Sequence, residues 1–439
     1  MRLLGAFSRY LWEGEPSPEA GVPCVILGIE YSVGDQWPQK LLDDARSRMW
    51  LMYRSGFPLI PRHPDGPSPI QLSAVLRGAP LDMTGFTSDI GWGCMIRTGQ
   101  CLVANSLLSL ALTRYWRYHE GCPATKPIVE LFIDSPDAPL SIHNFVAQGI
   151  PRGRLPGQWF GPSTVAACIK ALAPLIPNYS LNVFVSHGSD VFTETLETHQ
   201  FPLLVLCPVR LGIHEINAIY YEGILRCLDC PQSVGIAGGR TSASHYFYGH
   251  QSTRVLFHDP HMAKPALNSA MLDIQSVHCD TLRAMDVSEM DPSMLVGFLL
   301  KDHTDYYCWK TFMMKVPQKS QIIVFSERPA PDFTLDVEDE GFVLCEGLDE
   351  ENIDNDSVVS IDGNRTFDEE TVISITADRT LDDETAVSDD THIQQDQTVH
   401  SLDGNPIRED EMVLPIARSQ EDEVMVQPPH VKDEATVFI

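Results

Sequence analysis

Thr87-Ser88-Asp89-Ile90-Gly91-Trp92-Gly93-Cys94-Met95-Ile96-Arg97-Thr98-Gly99-Gln100 is the stretch from which the rest of the chain is read. A Gly-Trp-Gly turn leads into a segment whose apolar positions Leu102, Leu107, Leu108, Ala111 and Leu112 recur at helical spacing, so Cys94 is expected at or near a helix N-terminus. The unpaired N–H groups and partial positive charge at such an end favour thiolate over thiol, and the thiolate is the nucleophile. The flanking glycines let backbone or substrate approach closely, and Trp92 is placed to wall a cleft. Taken alone, a cysteine at a helix start is more often core than catalyst, because free cysteines are among the most buried residue types. Partners elsewhere in the chain have to decide.

The chain has 439 residues and a formal net charge of −29. From Pro331 to Ile439 there are 31 acids against five bases, which places −26 of that charge in the tail and leaves the body nearly neutral. A nearly neutral body argues against a nucleic-acid-binding domain, which would show a basic face. Eleven cysteines, an odd number without framework spacing, suit a reducing compartment. The apolar start is too short for a signal peptide, although Arg2 and Arg9 leave a transit-peptide reading open, and no run is long enough to span a bilayer. These features point to a cytosolic protein.

Read in order, residues 1–22 form a flexible lead, residues 23–325 a folded domain and residues 326–439 an acidic, disordered tail. Val25–Gly28 reads as a strand and turn. Leu41–Ser55 reads as a helix with Leu42, Ala45, Met49, Met52 and Tyr53 on one face, stopped by Gly56. Loop regions over 61–86 and 119–160 follow, the second ending in Gly157-Gln158-Trp159-Phe160-Gly161-Pro162. Ser163 then caps a helix bearing Val165, Ile169 and Leu172. Trp159, between glycines, has no pattern to bury it and reads as a movable gate or substrate platform.

Strands are expected at Leu181–Ser186 and Phe201–Cys207, the second a continuous apolar run of the kind buried on both faces. Ile216, Ile219, Tyr220 and Ile224 mark a helix; Ser244–His250 and Arg254–His261 form a hairpin. Alternation along the second of these strands puts Asp259 and His261 on one side, with Pro260 marking the strand end. A strand at Met294–Lys301 and a helix over Asp305–Met314 close the body. The irregular mixture of strands and helices reads as α+β.

A cysteine peptidase needs a thiolate, an imidazole, a group to orient that imidazole and a donor for the oxyanion. Cys94, His261 and Asp259 supply the first three, and the Tyr53 hydroxyl with the Cys94 N–H supplies the fourth. Two other classes remain open on residues alone. One is a metal-dependent hydrolase using His245, His250, His258, Asp259 and His261. The other is a catalytically silent adaptor. Cys227-x-x-Cys230 lacks the second pair a zinc site needs and reads as structural. Cys101 reads as redox-active or as helix core.

Six stretches, in order from about Val25 to Thr311, resemble the autophagins, the autophagy-related protein 4 cysteine peptidases. They are Tyr53-Arg54 with Phe57-Pro58, Ser88–Arg97, Gly157–Val165, Pro231–Gly239, Ser244–Phe247 and Asp259–His261. The resemblance implies a papain-like fold with a small inserted α/β subdomain. It also implies a substrate, the ubiquitin-like autophagy-related protein 8, cut after a glycine near its C-terminus and later released from phosphatidylethanolamine. Under it Cys94 is the nucleophile, His261 the general acid/base, Asp259 its orienter and Tyr53 the oxyanion donor. Trp159 matches the tryptophan that covers the closed site, and Gly238-Gly239-Arg240-Thr241-Ser242 the loop that moves aside. No cofactor or metal is implied. In the tail, Phe342-Val343-Leu344-Cys345 has Cys345 where the family's docking motif has an aliphatic residue.

Overall fold

The computed structural model describes residues 15–69, 84–239 and 243–327. Its strands, in chain order, are β1 (Cys24–Ile26), β2 (Ile29–Tyr31), β3 (Arg54–Pro61), β4 (Gly85–Ser88), β5 (Asn182–Val185), β6 (Asp190–Phe192) and β7 (Leu203–Arg210). There follow β8 (Ser233–Gly238), β9 (His245–Gln251), β10 (Arg254–His258), β11 (Lys264–Pro265), β12 (Ala284–Asp286), β13 (Ser293–Leu300) and β14 (Val324–Ser326).

The apolar run at 203–207 becomes β7, an inner strand of a nine-stranded sheet. It pairs with β13 antiparallel over its full length, from Leu203 against Leu300 to Arg210 against Ser293, and with β5 in parallel. Alternate residues of these strands feed two separate cores. Leu204, Leu206, Leu295 and Leu299 face the helices Cys94–Leu112 and Pro162–Leu172. Leu203, Val205, Val296 and Phe298 face the opposite side, with Ile224 and Leu228 of the helix Tyr221–Asp229 and Trp309 of the helix His303–Met313. Burial on both faces is why these strands read as continuous apolar runs. Beyond β13 the sheet continues through β8, β9, β10 and β12, with β1 and β2 joining at β9.

The Cys94 helix is buried from Cys94 through Leu108, so it is apolar on nearly all sides rather than striped. Its only charged residue is Arg97, whose side chain is fully buried. Nε donates to Asp89 Oδ2 at 2.6 Å, and Nη1 lies 2.9 Å from Asp134 Oδ1 and 3.2 Å from Gln100 Oε1.

Five readings are corrected. The region 119–160, read as loop, contains the helix Ile142–Gly149, whose Ser141 side chain caps it by accepting the Asn144 N–H, and short helical turns over 123–132. The helix expected over 41–55 spans only Gln39–Ser47, and Tyr53 instead lies in extended chain immediately before β3. There the backbone bonds to distant partners: Met49 N to Asn105 Oδ1, Trp50 N to Val277 O and Tyr53 N to Pro260 O. The helix after Trp159 is capped by Gly161, not Ser163, with Pro162 in its first turn. Ile216 precedes its helix, which begins at Tyr221 after one 3₁₀ turn. β10 ends at His258, so Asp259 and His261 lie just past the strand. The tail, with Phe342-Val343-Leu344-Cys345, lies outside the described residues. Among the described residues no helix is long and apolar enough to cross a membrane.

Arg97→Leu strands two buried carboxylates, and urea unfolding is expected to show a loss of about 3–5 kcal/mol. Removing the exposed Lys126, 3.9 Å from Glu130, is expected to change stability by less than about 1 kcal/mol in the same measurement.

Candidate active site

The turn before Cys94 is built on Asp89. Its carbonyl accepts the N–H groups of Trp92 (3.2 Å) and Gly93 (2.9 Å), and its Oδ1 accepts the backbone N–H of Arg54 (2.6 Å). The chain packs so tightly here that a Cβ on Gly93 would lie 2.6 Å from Asp89 Oδ2. Gly93 is the helix N-cap and Cys94 the first helical residue, as its sequence context predicts.

The second half of the site hangs from the end of β10. Asp259 Oδ1 accepts the backbone N–H of His261 at 2.8 Å and its Nδ1–H at 2.6 Å, which leaves Nε2 as the ring's working nitrogen. The segment Trp50–Ser55 runs beside this turn and holds it. Trp50 Nε1–H donates to Asp259 O (2.9 Å), Tyr53 N–H to Pro260 O (2.8 Å) and Lys264 N–H to Tyr53 O (3.0 Å). β11 then pairs in parallel with β3. The Tyr53 ring meets His261 edge to face, with centroids 5.4 Å apart. Tyr53, Ile90 and Cys94 form one small buried apolar group, and Trp159 packs against it half-buried.

Cys94 is fully buried. Burial pushes its thiol up, but the hydrogen bond and charge of His261, with smaller contributions from the Ser244 backbone and hydroxyl, bring it down to about 7. On His261, burial works against the proton, yet Asp259 and Cys94 together raise the ring to about 9. Between those values the pair rests as thiolate and imidazolium, poised to attack a carbonyl and to protonate a leaving amine.

The sequence reading therefore placed Cys94, Asp259, His261, Tyr53 and Trp159 in one region, and the structure brings all five together. Gly238 ends β8 and Gly239 follows it at φ 148°, in a bend where a Cβ would lie 2.4 Å from Ala243 O. Arg240, Thr241 and Ser242 lie outside the described residues. Ser244 was missed as a site residue, and His245 was considered only as a metal ligand; the signal available for both was their place one strand-length from the Asp259 turn in a hairpin.

Of the five residues considered for a metal, His245, Asp259 and His261 have donor atoms within 4.8 Å of one another. The other two are elsewhere: His250 pairs with Asp229 at 2.7 Å, and His258 stands between the rings of Trp50 and Tyr248. Cys101 is core. Its sulfur accepts Leu51 N–H at 3.2 Å, and burial pushes its thiol up to about 12. Cys227 and Cys230 are likewise buried, with their thiols driven upward by burial.

A buried thiol at a helix start, lowered by an imidazole that a carboxylate orients, defines a cysteine peptidase of papain-like α+β architecture. Residues 38–312 match the peptidase C54 catalytic domain. The chain is 42% identical over 347 residues to "Probable cysteine protease ATG4" of Coccidioides immitis, covering 75% of this chain and 79% of that protein. To "Cysteine protease atg4" of Emericella nidulans it is 39% identical over 365 residues, covering 73% and 91%. The chain belongs to the peptidase C54 family, the autophagins.

Alkylation of Cys94 by iodoacetamide, followed by peptide mass mapping across pH, is expected to be half-maximal near pH 7 and to decline below it as the thiolate is protonated. Cys101 is expected to stay unlabelled until the protein unfolds. A Cys94 midpoint in the ordinary thiol range near 8.5 would overturn the ion-pair assignment.

Proposed function

We propose that this peptidase acts in autophagy, processing the C-terminus of the ubiquitin-like autophagy-related protein 8 to expose its terminal glycine. We further propose that it hydrolyses the amide joining that glycine to phosphatidylethanolamine. The observation that carries this is the depressed thiol of Cys94 opposed to a His261 ring held by Asp259. The names and identities of the relatives add to it. The working domain is residues 23–325, and the setting is the cytosol, where the encounter with membrane comes through the lipidated substrate.

In this reading the Cys94 thiolate attacks the carbonyl carbon of the glycine. The oxyanion is received by the Cys94 N–H and the Tyr53 hydroxyl, and His261 protonates the departing amine. Water, deprotonated by the now neutral His261, cleaves the thioester and restores the pair. The same steps serve a peptide amine or an ethanolamine amine, because the enzyme recognises the acyl side.

Cys94 is 0% exposed, and Trp159 packs on the group that contains it. Substrate must therefore displace Trp159, and the family resemblance gives the Gly238–Ser242 loop the same part. Glycine fits beneath such a roof because it lacks a Cβ. Remote contacts with the folded modifier supply the binding energy that opens the site.

In a gel assay with a modifier carrying residues beyond its terminal glycine, wild-type protein is expected to cleave, and Cys94→Ala or alkylated protein is not. Cleavage by Cys94→Ala would end this reading; binding without cleavage by either would favour an adaptor. Tyr53→Phe is expected to lower kcat by about 10²–10³ if its hydroxyl meets the oxyanion. Trp159→Ala is expected to speed cleavage, and a folded variant with tighter selectivity would contradict the gating role.

A further inference from the structure

Asp259 uses one oxygen, Oδ1, for both of its bonds to His261. Its other oxygen, Oδ2, is buried with no hydrogen-bond partner among the described residues. A carboxylate held through one oxygen alone can still pivot about that oxygen, and leaving a buried acceptor unmade is unfavourable. The nitrogen facing Oδ2 is His245 Nε2, 3.9 Å away.

His245 opens β9, and its ring is held edge-on between two others. Its centroid lies 4.8 Å from Phe257 and 5.5 Å from His261, at interplanar angles of 73° and 68°. The charged and titratable groups that face it are Asp259 and His261 from the turn after β10, and Arg283 from the segment before β12.

We propose that His245 is a positioning residue whose Nε2–H faces Asp259 Oδ2 and holds the carboxylate in the rotation that presents Oδ1 to His261. This rests on the reading of Cys94, His261 and Asp259 as the catalytic set. Burial first, then the positive charges of His261 and Arg283, keep the His245 ring well below its ordinary titration range. It therefore works as a neutral, fixed donor and adds no second positive charge beside the imidazolium. Remove the donor and the carboxylate turns away. His261 then falls from about 9 and Cys94 rises from about 7, so the window in which thiolate and imidazolium coexist narrows from both sides.

The test compares wild type, His245→Phe and His245→Gln for kcat and KM across pH, together with the pH dependence of Cys94 alkylation. Phenylalanine keeps the ring's bulk without a donor, whereas the glutamine amide nitrogen can reach the same point. His245→Phe is expected to lose about tenfold or more in kcat with KM within about twofold, and both limbs of its pH profile are expected to move inward. His245→Gln is expected to stay within about threefold of wild type, with the limbs restored. Unchanged limbs in His245→Phe, or equal losses in both variants, would overturn the proposal and leave only a packing role. Should His245→Phe fail to fold, nitrogen NMR of the wild-type histidines decides: a proton on His245 Nε2 is expected, and one on Nδ1 would overturn it. Cys94→Ala in the same assay separates the two levels, since residual cleavage there ends the catalytic reading whatever His245 does.

Discussion

Arg97 is the interaction on which the site depends. Its guanidinium sits fully buried between Asp89 and Asp134, which hold it firmly charged although burial opposes the charge. Each carboxylate spends its second oxygen on backbone. Asp89 Oδ1 takes the N–H of Arg54 at the start of β3, and Asp134 Oδ2 takes the N–H of Leu267 while Asp134 N–H returns a bond to Leu267 O. A single residue one turn past Cys94 thus fixes the chain beside Tyr53 and the chain just downstream of His261. Buried ion networks add little net stability because each ion must be desolvated. What this one supplies is position: the thiol and the imidazole come from distant parts of the sequence and meet in only one arrangement.

That arrangement sets the chemistry, as two cysteines of one helix show. Cys94 and Cys101 are both fully buried, and burial alone drives a thiol upward. Cys101 follows that rule and is pushed to about 12. Cys94 goes the other way, to about 7, because it has His261 beside it and Cys101 does not. The imidazolium, rather than exposure or helix position alone, makes one thiol reactive and leaves the other inert.

Much of this was legible in the residues. The helix after Gly93 and the doubly buried strand at 203–207 are local signals, and each lies where its pattern implies; Asp259 and His261 meet as well, but in the turn past β10 and not by strand alternation. Tyr53 reached the right site by the wrong element. Leu42, Ala45, Met49, Met52 and Tyr53 do fall at helical spacing, but the backbone from Met49 onward finds its partners at Asn105, Val277 and Pro260. Nothing local announces partners so far away. His245 was named only as a metal candidate, and its place beside Asp259 in the cysteine site was hidden for a related reason. Period-two alternation tells which face a strand residue occupies, but a register shift between Leu256 and Phe257 sets what stands opposite it across β9 and β10. Arg97 is the lone charge of its helix, but its two carboxylates lie on separate loops that no spacing connects.

The proposed gate would carry its own means of opening. Trp159 packs against the Tyr53–Ile90–Cys94 group, yet its indole Nε1–H is buried with no hydrogen-bond partner among the described residues. An unmade hydrogen bond of this kind costs about 1–3 kcal/mol, a penalty that disappears once the indole turns out to water. Displacing Trp159 therefore asks less of the substrate than displacing a fully satisfied lid. The thiolate beneath it gains in the other direction: shielding from water strengthens its pairing with His261, so the nucleophile stays charged while inaccessible. Under the function proposed above, a site that is charged when shut and inexpensive to open would leave selection to whatever can displace Trp159.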